Sequence, residues 1–197
     1  MQRRRSIRCD VSRTLHAAIL VGLMASVVTP SSGLAQKPRK GFILDLGVGI
    51  AGISQSSNSP GSGRETTGAV GTDFKIGHAP TDQLLIYYSN DAAFYKETSS
   101  FGGDVLVAVG MSGVGATYFL QPAAPSFYLN GALGIAALNA VSLDDATQDG
   151  ITGWGVSLGG GYEFARHWLL DGDLVLGRLD GGLNTSTLRV GIVWLLY

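Results

Sequence analysis

The sequence predicts an all-β fold, an eight-stranded antiparallel transmembrane β-barrel with up-and-down meander order, and three observations carry that prediction. The first is Ile151 to Phe164, where Trp154, Val156, Leu158, Gly160, Tyr162 and Phe164 alternate with Gly153, Gly155, Ser157, Gly159, Gly161 and Glu163. Period-2 alternation marks a strand with two unlike faces. A soluble sandwich strand usually ends after about 5–6 residues, whereas a strand tilted across a bilayer needs about 9–11. Large residues on one face and small ones on the other suit a narrow barrel that turns its bulk toward lipid. The second observation is composition: 45% hydrophobic, 15% charged and 29 Gly in 197 residues, with no apolar run after the N-terminus long enough for a spanning helix. A closed barrel satisfies every backbone group in lipid without one. The third is that longer polar loops alternate with short turns between the strands, the asymmetry of outer-membrane barrels.

The N-terminus reads separately. Arg3, Arg4, Arg5, Arg8 and Arg13 form a basic region, Ala17 to Val28 an apolar core, and Gly33-Leu34-Ala35 a small-residue cleavage context, so residues 1–35 are expected to be a secretory signal and 36–197 the barrel domain. Without residues 1–35, five Arg and Asp10 leave the 14 basic and 15 acidic residues of the chain, giving nine against 14 and a net charge of −5. That balance offers no basic patch for nucleic acid. The single Cys, Cys9, belongs to the signal, so disulfides and a Cys-based metal site are excluded from the barrel.

Strand one is expected over residues 40–51, with Phe42, Leu44, Leu46, Val48 and Ile50 outward and Asp45, Gly47 and Gly49 inward. A Ser/Gly/Pro loop, 53–67, leads to strand two (68–77), with Val70, Thr72, Phe74 and Ile76 outward and Gly71, Asp73 and Lys75 inward. Strand three (83–90) places Leu84, Ile86 and Tyr88 outward and Leu85, Tyr87 and Ser89 inward. Strand four (104–120) carries apolar residues first at odd positions (Val105, Val107, Val109, Met111) and then at even ones (Val114, Ala116, Tyr118, Leu120). This change of parity predicts a bulge near Ser112 and Gly113. Strand five (127–138) sets Phe127, Leu129, Leu133 and Ile135 against Tyr128, Asn130, Ala132 and Gly134, and an acidic loop (139–150) precedes the alternating strand described above. Strand seven (168–178) sets Trp168, Leu170, Leu174 and Leu176 against Asp171 and Asp173. Asp180-Gly181-Gly182 turns the chain back into strand eight (184–197), whose Leu188, Val190, Ile192, Trp194 and Leu196 oppose Arg189 and Gly191.

With these strands placed, the chain resembles the small eight-stranded outer-membrane barrels, the broad group that includes OmpA-type transmembrane domains and the OmpX and OmpW groups. The resemblance spans nearly all of residues 36–197. It rests on Gly41-Phe42-Ile43-Leu44-Asp45-Leu46-Gly47-Val48-Gly49, on Gly160-Gly161-Tyr162-Glu163-Phe164 with the Arg166-His167-Trp168 turn, and on Leu188 to Tyr197. It implies that the last strand, through Gly191, Trp194, Leu196 and Tyr197, is the signal read by the barrel-assembly machinery. The chain departs from the usual form by ending in Tyr rather than Phe, with Gly191 one residue farther from the end. The resemblance to OmpA-type proteins is expected to stop at the barrel, without the peptidoglycan-binding domain that follows it in the full-length members.

Chemical motifs are weak by comparison. Gly47-Val48-Gly49-Ile50-Ala51-Gly52 matches the dinucleotide fingerprint, but the chain then enters a Ser-rich loop where that motif requires a helix. Asp144, Asp145 and Asp149 lack calcium-loop spacing, since position 12 counted from Asp145 is Val156. His78 and His167 fall in the turns on the side opposite the long loops, the wrong rim for an outer-leaflet hydrolase triad. No catalytic residue, metal site or cofactor is therefore assigned. The inward charges are the candidate site: Asp45, Asp73, Lys75, Glu163, Asp171, Asp173 and Arg189, expected to form a network in which Arg189 bridges carboxylates. Leu44, Leu46, Val48, Phe74, Val156, Leu158, Tyr162, Leu174, Val190, Ile192 and Trp194 are expected to face lipid. Phe42, Tyr118, Phe127, Tyr162, Phe164, Trp168 and Trp194 form one aromatic girdle and Trp154 belongs to the other. The expected function is a structural or surface-interaction role in the bacterial outer membrane, with lipid, lipopolysaccharide and the assembly machinery as partners. The alternatives are a narrow pore or transporter for small or hydrophobic molecules, as in the OmpW group, and a lipid-modifying enzyme.

Overall fold

The computed structural model describes residues 39–57, 65–98, 104–142 and 148–197, with the side chains of 98, 142, 148 and 149 excepted. The expected signal, Asp144, Asp145 and the Asp149 side chain lie outside the described residues. Eight strands follow in order: β1 (Gly41–Ser57), β2 (Glu65–Ala79), β3 (Leu84–Thr98), β4 (Asp104–Phe119), β5 (Ser126–Ser142), β6 (Gln148–Ala165), β7 (Trp168–Leu179) and β8 (Leu183–Leu196). Each pairs antiparallel with its sequence neighbours, and β8 returns to β1 to close the barrel. Closure removes both sheet edges.

Turn chemistry sets where the strands reverse. Between β7 and β8 the chain turns in three residues, Asp180–Gly182, with Gly181 at φ 74° and Gly182 at φ 78°, a conformation glycine adopts without steric penalty. This reversal is tight although it lies on the side of the longer loops. The loop-side hairpins reach farther than their sequence composition suggests: β1 continues to Ser57, β3 to Thr98, and β6 begins at Gln148. Polar Ser, Thr and Asn residues continue the ladder past the apolar band, because beyond the lipid the outward face no longer needs to be apolar.

The alternation places Phe42, Leu46, Val48, Ile50, Leu158, Leu174, Val190 and Ile192 on an exposed outer wall. Leu44, Phe74, Val156, Tyr162 and Trp194 share that face but are half-buried among their neighbours. So extensive an exposed apolar band calls for a nonaqueous surrounding. One expectation fails. Strand four has no bulge: its pairing with β3 and with β5 runs without a shift through Ser112 and Gly113. Val107, Val109 and Met111 instead point inward, continuous in parity with Gly113, Gly115, Thr117 and Phe119, and are all buried. The parity of the apolar residues changes because the lumen itself changes from small to apolar along the axis.

The interior is layered. At the end of the short turns, Ile43, Leu85, Tyr87, Phe119, Tyr128, Leu169, Val193 and Leu195 pack into one apolar cluster. Toward the loops, Ala51, Ile53, Ala93, Val107 and Val109 form a second, and Met111, Ala132 and Val175 form a smaller third. Between them lies a layer of charge.

Candidate functional site

The charged layer is built by five strands. β1 contributes Asp45, β2 Asp73 and Lys75, β3 Asp91, β7 Asp171 and Asp173, and β8 Arg189, and each of these side chains is more than nine-tenths buried. Arg189 is the hub. Its Nη2 lies 3.2 Å from Asp73, 3.1 Å from Asp171 and 3.9 Å from Asp91, and it donates a short hydrogen bond to Asp173. Glycines make room for it, since a Cβ at Gly71 would come within 2.8 Å of the Arg189 Cδ and one at Gly47 within 3.1 Å of its Nη1. Lys75 Nζ donates to Asp73 at 2.6 Å, sits 3.9 Å from Asp45, and lies 5.7 Å from the Tyr87 ring centroid. The Tyr128 hydroxyl donates to Asp171. Register explains the convergence, because Asp45 faces Lys75, Asp73 faces Asp91 and Asp173 faces Arg189 across the ladder.

Five carboxylates face two cations, a formal imbalance of three negative charges when all are ionised. Oxygens of Asp73, Asp171 and Asp173 lie within 4.8 Å of one another, close enough to share a metal ion. The Arg189 guanidinium already lies against all three, so the protein's own cation takes that position.

Glu163 does not join this layer. It sits at the turn end, fully buried, where its Oε2 takes hydrogen bonds from Nε and Nη2 of Arg39, and its Oε1 accepts one from the Tyr197 hydroxyl at 2.9 Å. Arg39 Nη1 also donates to the carbonyls of Asp82 at 3.2 Å and Gln121 at 2.9 Å, and its guanidinium lies 3.9 Å from the Phe119 ring centroid. One side chain ahead of β1 thus ties together two turns, β6 and the C-terminal residue. Burial, with Glu163 beside it, pushes the Tyr197 phenol up to about 12.

Of the inward charges expected together, Asp45, Asp73, Lys75, Asp171, Asp173 and Arg189 meet, and Glu163 belongs to a second cluster. Asp91 and Arg39 complete the picture and were not anticipated. Asp91 continues the inward parity of Tyr87 and Ser89, and Arg39 continues that of Ile43 and Asp45 backward past Gly41. In β8, Gly191 faces the lumen, Trp194 and Leu196 face outward, and Tyr197 follows the strand. His78 is exposed, and His167 Nδ1 lies 2.7 Å from the Leu195 carbonyl; both stand at the turn end. The Gly47 to Gly52 fingerprint lies wholly within β1, with no helix to receive a pyrophosphate.

No protein-family model and no curated protein matches the chain. Solved structures do. Ail, the attachment invasion locus protein of Yersinia pestis, is 15% identical over 80% of this chain and 99% of its own, with a TM-score of 0.58. The same protein in complex with the heparin analogue sucrose octasulfate covers 79% and 99% at 11% identity, with a TM-score of 0.55. Neisserial surface protein A is 15% identical over 78% and 96%, with a TM-score of 0.52. The fold is that of the small eight-stranded outer-membrane barrels. In this fold the apolar outer wall is the membrane-facing surface.

Proposed function

We propose that this chain is an integral protein of the bacterial outer membrane with a structural or surface-interaction role and no catalytic activity, exported by a signal in residues 1–35 and plugged through its lumen. The observation that carries the reading is the position of the charged layer between two apolar clusters. A conducting pore needs a continuous polar path, and here each end of the polar layer meets packed side chains. Arg39 and Glu163 add a second closure at the turn end. What remains for interaction is the loop-side rim, which carries the longest connection between strands, residues 58–64 between β1 and β2. An attachment protein and a surface protein share this fold, which supports a surface role. The lipid and lipopolysaccharide around the wall and the assembly machinery acting on β8 are the partners.

A second reading, a narrow cation-preferring pore, draws on the excess of carboxylates and would require both apolar clusters to part. Fractionation tests the first reading: with an epitope inserted at residue 61, cells should yield the protein in the outer-membrane fraction and intact cells should bind the antibody. Recovery in the soluble periplasmic fraction, or an epitope reached only after lysis, would overturn it.

A further inference from the structure

The outer wall is apolar almost everywhere. On β1, β5, β6, β7 and β8 the outward positions within 42–52, 127–137, 154–164, 168–176 and 188–196 are all aliphatic, aromatic or Gly. β2, β3 and β4 break the pattern with Thr72, Asn90 and Ser112. Each lies inside the apolar band, because exposed apolar residues continue on both sides of it along its own strand. Val70 and Ile76 bracket Thr72, Tyr88 and Phe94 bracket Asn90, and Leu106 and Val114 bracket Ser112. The ladder gathers the three, since Asn90 faces Ser112 and Thr72 faces Ala92, the next outward residue of β3. Asn90 is exposed, and its Nδ2 donates to Ser112 Oγ at 2.5 Å. The second N–H and the Oδ1 of the amide have no partner among the described residues. Acyl chains offer neither donor nor acceptor, so an amide held against them forfeits its hydrogen bonds.

Side-chain size falls at the same place. Thr72, Ala92, Gly110 and Ala137 are successive neighbours across the ladder, a run of small residues beside the Asn90–Ser112 pair. Small side chains let a second wall approach closely, and polar groups in lipid are satisfied at such contacts. We propose that this face of β2–β4 is where two copies of the chain meet within the membrane, an assignment that rests on the outer-membrane reading. The occupant is a second copy because the amide is self-complementary. Two copies inserted in the same direction are related by a two-fold axis along the membrane normal, which sets identical residues at identical depth. The free N–H and Oδ1 of one Asn90 then meet the Oδ1 and N–H of the other.

Sedimentation equilibrium of the refolded chain in density-matched detergent micelles measures the association, and heat-modifiable gel mobility first shows that each sample is a folded barrel. The native chain should dimerise. Asn90→Leu, which suits lipid better than the native residue, should weaken the dimer roughly 10-fold or more, the loss of two reciprocal hydrogen bonds each worth about threefold to tenfold. Ala92→Phe should weaken it as well by holding the walls apart, whereas Leu174→Ala, on β7 at the opposite side of the barrel, should leave it unchanged. A folded native barrel that stays monomeric would overturn the proposal and leave the outer-membrane reading in place, the amide then facing lipid or a different membrane protein. A dimer that neither Asn90→Leu nor Ala92→Phe weakens would put the contact elsewhere and overturn it too. A native chain that forms no heat-modifiable barrel would overturn both.

Discussion

Replacing Arg189 by Ala removes the hub of the charged layer. The guanidinium contacts Asp73, Asp91, Asp171 and Asp173, and its loss leaves Lys75 as the single cation against five buried carboxylates. Removing one partner of a buried ion pair typically costs ~3–5 kcal/mol, because the remaining charge stays desolvated. The four contacts put Arg189→Ala at the upper part of that range. Arg189→Lys keeps the charge but loses the planar fork that reaches Asp171 and Asp173 together, so it should be intermediate. Asp173→Asn in the Ala background removes one uncompensated carboxylate and should restore about 1–3 kcal/mol, a coupling expected of groups in one network. Equilibrium unfolding in guanidinium, followed by Trp fluorescence in detergent micelles, measures all four proteins. An Arg189→Ala barrel within ~1 kcal/mol of native, or a double variant less stable than the single, would refute the view that charge balance around Arg189 holds the layer.

Leu158→Arg places a charge near the middle of the apolar wall and should cost ~2–4 kcal/mol in a bilayer, whereas Leu120→Arg at the turn-side edge should cost ~0–1 kcal/mol; equal effects in vesicle refolding would contradict the assigned depths. Glu163→Gln strands the buried Arg39 without its counter-charge and should destabilise by roughly 3 kcal/mol, with Arg39→Met in the same chain recovering part of the loss, as read by the temperature of heat-modified gel migration. The Tyr197 phenol is raised in the folded chain to about 12, from an unfolded value near 10. Its contribution is complete below pH ~10 and fades as pH climbs through about 12, so native protein should lose stability in that window relative to Tyr197→Phe. Parallel curves for the two proteins would remove Tyr197 as the source. Gly49→Val should block closure of the β1–β8 seam, because a Cβ there would come within 2.6 Å of the Gly191 Cα; normal refolding yield would contradict that crowding.

The fold was legible because lipid imposes a strict rule on one face. From Leu44 to Ile50, and again from Trp154 to Phe164, the outward positions must be apolar or small whatever the inward ones do, and alternation survives wherever a strand crosses the bilayer. Where the lumen also becomes apolar, the rule loses contrast. Val107, Val109 and Met111 resemble lipid-facing residues, yet they are buried in the lumen while Ala108, Gly110 and Ser112 face out, so the sequence suggests a bulge where the strand is regular. Strand ends hide for a related reason. The strand expected over 83–90 stops at the polar pair Asn90-Asp91, although Asp91 continues the ladder opposite Met111 and joins Arg189 inside the barrel. The inward charges could be gathered from parity alone, but which of them meet depends on height in the barrel. Glu163 is low, beside Ser126 at the end of its ladder, and so finds Arg39 rather than Arg189. That Thr72, Asn90 and Ser112 form one patch has no trace in any single strand. It arises from the register of three.

Single-channel recording of the refolded chain in planar bilayers tests the plugged lumen most directly. With apolar clusters closing both ends of the charged layer, the native barrel should remain electrically silent across physiological voltages, and Arg189→Ala should show flickering leak as the unbalanced carboxylates draw in water and cations. Steady, cation-selective conductance from the native protein would contradict a sealed lumen.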